Sequence, residues 1–372
     1  MIRAKTFALL VLAASLLAAG PASATKYAGE FLKIPIGARA IGMGTSFTAV
    51  TDDATAPYWN PAGMVYLPYR EVVFQHAEKF GSLLNHDYLG AVLPLGGTTG
   101  HQSALGISII RLATDDIPIT PRIAALREGI DYDDFGTDND ESTPGNGQGN
   151  HRWDPGERLL ISADELFLAS ASDLAAMVSY ARQRGTHWAY GGNLKFVRSS
   201  LPDTVAHEHV TSFGAGLDAG ALYMPSEALT IGLSIHDLTT TYLAWSNGAR
   251  EVIAPNLRVG GAYNFFPAEH HALTLAMDVA LGFERRRMDS QIKLGAETID
   301  ISAGAEYWYR STLALRAGAN GKDLNFGAGV RYHHFGADYA AALHRFFAAD
   351  DPTFPSDTEL DTTHLISLGF SW

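Results

Sequence analysis

From about residue 70 to the C-terminus, apolar and polar or small residues alternate. The clearest run is 324–333. Leu324, Phe326, Ala328, Val330 and Tyr332 take one face; Asn325, Gly327, Gly329, Arg331 and His333 take the other. Leu273, Leu275, Met277, Val279 and Leu281 alternate with Ala272, Thr274, Ala276, Asp278 and Ala280 in the same way. So do Leu229, Ile231, Leu233 and Ile235 with Thr230, Gly232, Ser234 and His236. At 188–197, Trp188, Tyr190, Gly192, Leu194 and Phe196 oppose Ala189, Gly191, Asn193, Lys195 and Val197. Strict period-2 alternation predicts strands with one apolar face and one small or polar face. Fifteen such segments lie between residues 71 and 372. Only Thr298–Asp300 separates 290–297 from 301–309, so these two are expected to be one strand, giving fourteen. An even count is what single-chain bacterial barrels have.

A soluble sandwich alternates too. Three features select a closed antiparallel all-β barrel in lipid. Consecutive strands are joined by short polar turns such as Asn320–Asp323 and Tyr309–Thr312. Aromatic residues collect at strand ends (Trp188, Tyr190, Tyr307, Tyr309, Tyr332), as in the girdles of a membrane barrel. The last segment alternates Ile366, Leu368, Phe370 and Trp372 with small or polar residues, and resembles the terminal strand of bacterial outer-membrane barrels. Charges of both signs fall within the alternating segments: Lys195, Arg258, Asp278, Lys293, Glu297, Glu306, Arg316 and Arg331. A charge at mid-depth on a lipid face costs about 2–4 kcal/mol. These eight are therefore expected in the lumen or at its rims. Glycines at many inward positions leave room for something inside.

Composition narrows the function classes. The chain has 372 residues, 47% hydrophobic and 18% charged; soluble domains average about 25% charged. It has no cysteine, which excludes a disulfide scaffold, thiol chemistry and an iron–sulfur cluster. A formal net charge of −13 argues against a nucleic-acid partner. Residues 1–24 read as a signal peptide: Arg3 and Lys5, an apolar run Phe7–Ala19, then Ala22-Ser23-Ala24 as the cleavage site. Its removal takes away two positive charges and moves the net charge from −13 to −15. No later stretch reaches the 18 apolar residues of a membrane helix. The expected location is the outer membrane of a diderm bacterium.

Residues 25–69 do not alternate and are too apolar for a free tail, so they are expected to fill the interior of the barrel formed by 70–372. They carry Gly-x-Arg-Ala-x-Gly-Met-Gly at 37–44, the acidic pair Asp52-Asp53, and Asn60-Pro61-Ala62-Gly63. With Gly216–Tyr223, Pro255–Gly260 and Gly304–Trp308, these motifs resemble PorV/PorQ-type proteins, a branch of the FadL-type outer-membrane fatty-acid transporters. The resemblance implies a fourteen-stranded barrel with an N-terminal hatch. Arg39, Gly42, Gly44, Asn60, Pro61 and Gly63 would be its plug residues. It implies either passage of hydrophobic, fatty-acid-like molecules or a role in a type IX-like secretion machinery, acting through other proteins. Asn60-Pro61 also reads as a turn and Gly63 as a permissive backbone position, so the box either orders the hatch or touches a ligand. Gly42-Met43-Gly44 is no dinucleotide fingerprint, because Phe47 stands at the third glycine position.

An insertion at about 113–170 is acidic. Residues 113–165 hold thirteen acids and four arginines. Asp131, Asp133, Asp138, Asp140 and Glu141 are candidate calcium ligands, although the EF-hand spacing is absent. A solvated loop is the plainer reading; Ile119–Leu126 and Ser162–Ala171 could be short helices within it. No enzyme is expected: there is no G-x-S-x-G elbow, and the Ser234/His236 and His207/His209 pairs have no third partner in sequence. No cofactor other than calcium is expected.

Overall fold

The computed structural model describes residues 28–79, 83–98, 100–119, 126–138, 140–142, 145, 147–160, 167–202, 209–283, 290–295, 297–321, 323–344 and 362–372. The signal peptide, most of the helix candidate 119–126, residues 162–166 of the other candidate, and His207 lie outside these residues; the described part of the second candidate, 167–171, is strand rather than helix. The strands are β1 (Glu71–Lys79), β2 (Leu84–Gly96), β3 (Ser103–Ile119), β4 (Phe167–Arg184), β5 (Trp188–Pro202) and β6 (His209–Tyr223). Then follow β7 (Leu229–His236), β8 (Thr241–Trp245), β9 (Arg250–Ile253), β10 (Asn256–Ala268), β11 (His271–Gly282) and β12 (Ile292–Leu294). The last five are β13 (Glu297–Tyr309), β14 (Leu313–Asn320), β15 (Asp323–Tyr332), β16 (Phe335–Leu343) and β17 (Thr362–Ser371).

The sheet closes because β1 pairs antiparallel with two strands. Glu71 to Lys79 run against Val92 to Leu84 of β2, and Glu71 to His76 against Ser371 to Ile366 of β17. Closure removes the open edges that a bilayer cannot satisfy. Fourteen strands form the ring: β1–β7, β10, β11 and β13–β17. The expectation that 290–297 and 301–309 form one strand is corrected: Ile292–Leu294 is a separate short strand, β12, which among the described residues pairs antiparallel with Glu297–Ile299 of β13 and adds no strand to the ring. It occupies the overhang left where β14 stops at Asn320, opposite Ser302. β3 continues to Ile119 and β4 starts at Phe167, so the ends of the acidic insertion are strand.

The alternation has the expected sense. Outward positions are large and apolar, among them Phe74, Leu315, Ile366 and Leu368, each about half exposed or more. Their inward neighbours Gln75, Arg316, Leu365 and Ser367 are buried. The outer surface is thus an apolar belt for lipid.

The largest offset among the described strand pairs lies at β6, beyond the smaller register shift between Phe265 and Ala268 of β10. β6 pairs with β7 through Ala219–Tyr223 and with β8 through Ser212–Ala215. Three residues of β6, 216–218, therefore face six of the partner, 236–241. The surplus turns at Asp237 and Thr240, whose φ values are 55° and 60°. Such an insertion bends the strand and re-aims a side chain. Here Asp237 is buried.

A second compact unit comprises Ala113–Ser172 and Ser199–Thr211. Its acids accept backbone N–H groups. Asp133 Oδ1 accepts from Arg158 N at 2.9 Å, Glu157 Oε1 from Gly136 N at 3.1 Å, and Glu157 Oε2 from Asp154 N at 2.7 Å. Buried carboxylates acting as backbone acceptors organise this loop.

Replacing Ile366, outward and mid-strand in β17, by Arg is expected to cost about 2–4 kcal/mol, seen as a lower urea midpoint of the barrel refolded in lipid. Ile366→Leu should leave the midpoint unchanged.

Candidate functional site

The segment 28–68 lacks the alternation of a strand and forms two short helices, α1 (Ala38–Gly42) and α2 (Ala56–Trp59), with 3₁₀ turns at Glu30–Lys33 and Pro61–Tyr66. Nearly all of it is buried. Its backbone and side chains bond to inward-facing groups of strands all around the ring. Ala38 N donates to Ser367 Oγ of β17 (2.9 Å), and Gly37 N to Gln75 Oε1 of β1. Phe47 N and Thr48 N both donate to Asp278 Oδ2 of β11 (3.0 and 2.9 Å). Asn193 Nδ2 of β5 donates to Pro57 O (2.7 Å), and Tyr88 OH of β2 to Ala54 O (2.7 Å).

The strongest of these contacts is ionic. Arg39, on α1, makes a two-pronged contact with Glu306 of β13, Nε to Oε2 and Nη2 to Oε1, both at 2.8 Å. Its Nη1 also reaches Asp52 and Asp53. Glu306 takes a further bond from Arg316 Nε of β14 (2.6 Å). Arg316 continues to Asp338 of β16 (2.8 Å), and Asp338 to Arg331 of β15 (2.7 Å). Trp308 lies beneath both arginines, 5.4 and 5.5 Å from its ring centre. Guanidinium forks match carboxylate geometry, which suits arginine to such buried chains.

A second buried cluster sits on β5–β8. Lys195 Nζ bonds Asp218 at 3.0 Å and Asp237 at 2.8 Å. Asp218 also accepts from Asn193 (3.1 Å) and from Asp237 N (2.8 Å). The bulge between β7 and β8 therefore delivers the second carboxylate that Lys195 requires.

The Asn60-Pro61-Ala62-Gly63 box orders the segment. Asn60 is the N-cap of the 3₁₀ turn, its Oδ1 accepting from Ala62 N at 3.2 Å, with Pro61 following as first residue of that turn. Asn60 Nδ2 donates to Thr48 O (2.9 Å) and to Ala221 O of β6 (3.2 Å). At Gly63 a Cβ would lie 2.0 Å from Thr51 O. Gly44, with φ of 62°, lies against Ala319 and Gly318, and Met43 against Gly304 and Gly318. Gly42 meets Gly327 in the same way.

The inner wall has two characters. On β13–β17 and β1 it is charged and polar: Glu306, Arg316, Asp338, Ser367 and Gln75. On β3–β5, β8 and β9 it carries an apolar cluster, with Ile110, Met177, Val197, Leu243 and Ile253 packed with Phe31 and Trp59, beside the buried Lys195–Asp218–Asp237 group. Trp59 stands edge-on to Phe47 and Tyr58, with ring centres 6.0 and 5.0 Å apart. Burial pushes the Tyr58 phenol up to about 12, so it is a neutral donor, to Leu32 O and Ile34 O at 3.1 Å each.

Of the eight charges expected inside, Lys195, Asp278, Glu306 and Arg316 are buried, and Arg331 and Arg258 half-buried. Arg258 lies over the Trp59 ring at 5.2 Å. Lys293 and Glu297 are exposed, on the β12–β13 hairpin, where Leu294 pairs with Glu297. Sequence reasoning passed over Asp218, Asp237 and Asp338. Asp218 and Asp338 share the parity of the other inward charges; Asp237 lies in the bulge, where parity fails.

Ser234 Oγ and His236 Nε2 do meet, at 3.3 Å. Among the described residues, however, His236 bonds no carboxylate, so the pair lacks the group that would orient a base. Asp131 is bonded to Arg127 (3.1 Å), which draws its carboxyl below the usual range. Among the described residues, no three of Asp131, Asp133, Asp138, Asp140 and Glu141 bring ligand atoms within reach of one ion. The convergent group is Glu128, Asp134 and His151.

No family model matches the chain, and no curated protein matches it. Among solved structures it is similar to the CymD monoaromatic hydrocarbon channel, with TM-score 0.52 and 14% identity over 91% of this chain and 98% of that one. It is also similar to the toluene transporter TodX of P. putida, with TM-score 0.51 and 12% identity over 91% and 98%. A Pseudomonas aeruginosa FadL homologue aligns with TM-score 0.50 and 12% identity over the same shares. At such identities the likeness establishes the fold, a closed fourteen-stranded antiparallel barrel of the FadL type. The PorV/PorQ resemblance rests on the sequence motifs alone.

Glu306→Leu leaves Arg39 and Arg316 facing an apolar side chain. It is expected to cost about 3–5 kcal/mol, read as a lower denaturation midpoint, and to open the chain to trypsin after Arg39. Lys293→Gln, at an exposed position, should change neither.

Proposed function

We propose that the protein is an outer-membrane channel for small hydrophobic molecules, fatty-acid-like chains among them, and that residues 28–68 are its hatch. The observation that carries this reading is the two-sided wall. A segment anchored by the Arg39–Glu306 ion pair on one side faces, on the other, an apolar and aromatic lining interrupted by the Lys195–Asp218–Asp237 group. A hydrophobic solute gains about 25 cal/mol per Å² of apolar surface removed from water, and the lining of β3–β5, β8 and β9 supplies such a surface. The charged side holds the hatch in place without contacting the solute. The likeness to channels named for toluene and monoaromatic hydrocarbons supports the class of cargo.

The chemistry is binding and passage, with no covalent step. Asp278 and Glu306 act as hatch supports, through Phe47 N and Thr48 N and through Arg39, with Arg316 backing Glu306 and Lys195 bracing the wall through Asp218 and Asp237, while Asn60 and Gly63 order the hatch itself. Arg258, half-buried over Trp59, lies where the polar support meets the apolar lining. The secretion-component reading draws on the motif resemblance alone.

Two measurements test the proposal. Removing residues 28–63 should raise leakage of small hydrophilic solutes from liposomes carrying the barrel; leakage equal to that of the full chain would refute the hatch. Native mass spectrometry of the purified barrel should find a hydrophobic molecule bound, and Met177→Asp with Val197→Asp should abolish its retention while the barrel still refolds.

A further inference from the structure

The acidic unit contains a group that the channel reading does not use. Glu128, Asp134 and His151 each offer one ligand atom, and these atoms lie within 4.8 Å of one another. Three features shape the place. Asp134 is buried, and its carboxylate is aimed by two backbone donors, Asn150 N at 3.2 Å and His151 N at 2.7 Å. The chain closes round it once more through Gly149 N, which donates to Asp134 O at 3.2 Å. His151 takes a positive φ of 57°, and its Nδ1 contacts Glu128 Oε2.

A second observation is independent of these contacts. Tyr132 is 1% exposed, and its hydroxyl is buried with no hydrogen-bond partner among the described residues. A buried phenol without a partner costs roughly 1–3 kcal/mol, so its place calls for a ligand. Tyr132 stands two residues before Asp134 and is bridged to Glu128 in the backbone ladder.

We propose that Glu128, Asp134 and His151 bind one divalent cation of the zinc class. The donor set decides the class. Calcium takes six to eight oxygens. One imidazole nitrogen with two carboxylates is a three-ligand set of the kind zinc accepts, leaving a fourth position open. The site differs from the calcium set read from the sequence, since it uses His151 and none of Asp131, Asp133, Asp138, Asp140 or Glu141. It would clip residues 128–134 to 147–151 by a link that closes without cysteine.

The test uses the full mature chain in detergent, free of any histidine tag and stripped with EDTA. Isothermal titration with Zn²⁺ should give one site per chain. His151→Ala and Glu128→Gln, both at exposed positions, should each weaken it at least about 10-fold, while Asp138→Asn and Asp140→Asn leave it unchanged. Asp134 also orders the loop, so it is left intact. Heat-modifiability on gels checks that every variant retains the barrel. The proposal is overturned if no Zn²⁺ binds above background, if His151→Ala binds as tightly as the parent, or if Ca²⁺ binds and Zn²⁺ does not. Liposome leakage is unaffected by any of these variants if the hatch reading holds, so the two proposals fail separately.

Discussion

Glu306 is the point on which the interior turns. It holds two guanidinium groups at once, one from the N-terminal segment and one from the neighbouring strand, at 2.6–2.8 Å. Removed from water, each of these charges would be costly alone. Together with Asp52, Asp53, Asp338 and Arg331 they form a chain in which every ion has an opposite neighbour. The barrel can therefore carry charge on its inner face while its outer face remains apolar. The same chain binds a stretch with little regular structure of its own to one definite position on β13–β16.

The other half of the wall works by different means. Around Phe31, Phe47 and Trp59 the contacts are apolar and aromatic, without the directionality of the ion chain. Burial there contributes without fixing orientation, and the buried backbone carbonyls are met one at a time by Asn60, Asn193 and Tyr88. A segment held rigidly on one side and by adaptable packing on the other has a preferred side on which to yield. That asymmetry is the basis on which the proposed cargo is placed against the apolar residues of β3–β5, β8 and β9.

Much of the fold was legible because a barrel enforces a period of two over its whole circuit. Leu324–Tyr332 reads correctly residue by residue, and the parity of Glu306, Arg316 and Arg331 follows from it. Legibility stops where the period stops. The offset at 236–241 changes parity in mid-strand, so the partnership of Asp237 with Lys195 could not be read from the alternation. Lys293 and Glu297 fell on a hairpin too short to belong to the ring, where inside and outside no longer apply. In the acidic unit, sequence density of carboxylates pointed to Asp138, Asp140 and Glu141. The convergent group instead joins Glu128 and Asp134 to His151, across a turn of some seventeen residues that no local spacing reveals. The Asn60 box was readable as a turn, and the cap at Asn60 and the close approach of Gly63 to Thr51 show why those residue types stand there.

At Gly44, Gly304 and Gly318 two stretches of main chain touch directly, with no side chain between them. Side chains act as springs: they change rotamer and absorb small displacements. Bare backbone has no such compliance. Movement of residues 43–44 by a fraction of an ångström would either collide with β13 and β14 or lose contact altogether. Residues 43–44 are therefore seated against β13 and β14 by main-chain contact, where no rotamer change can take up a displacement.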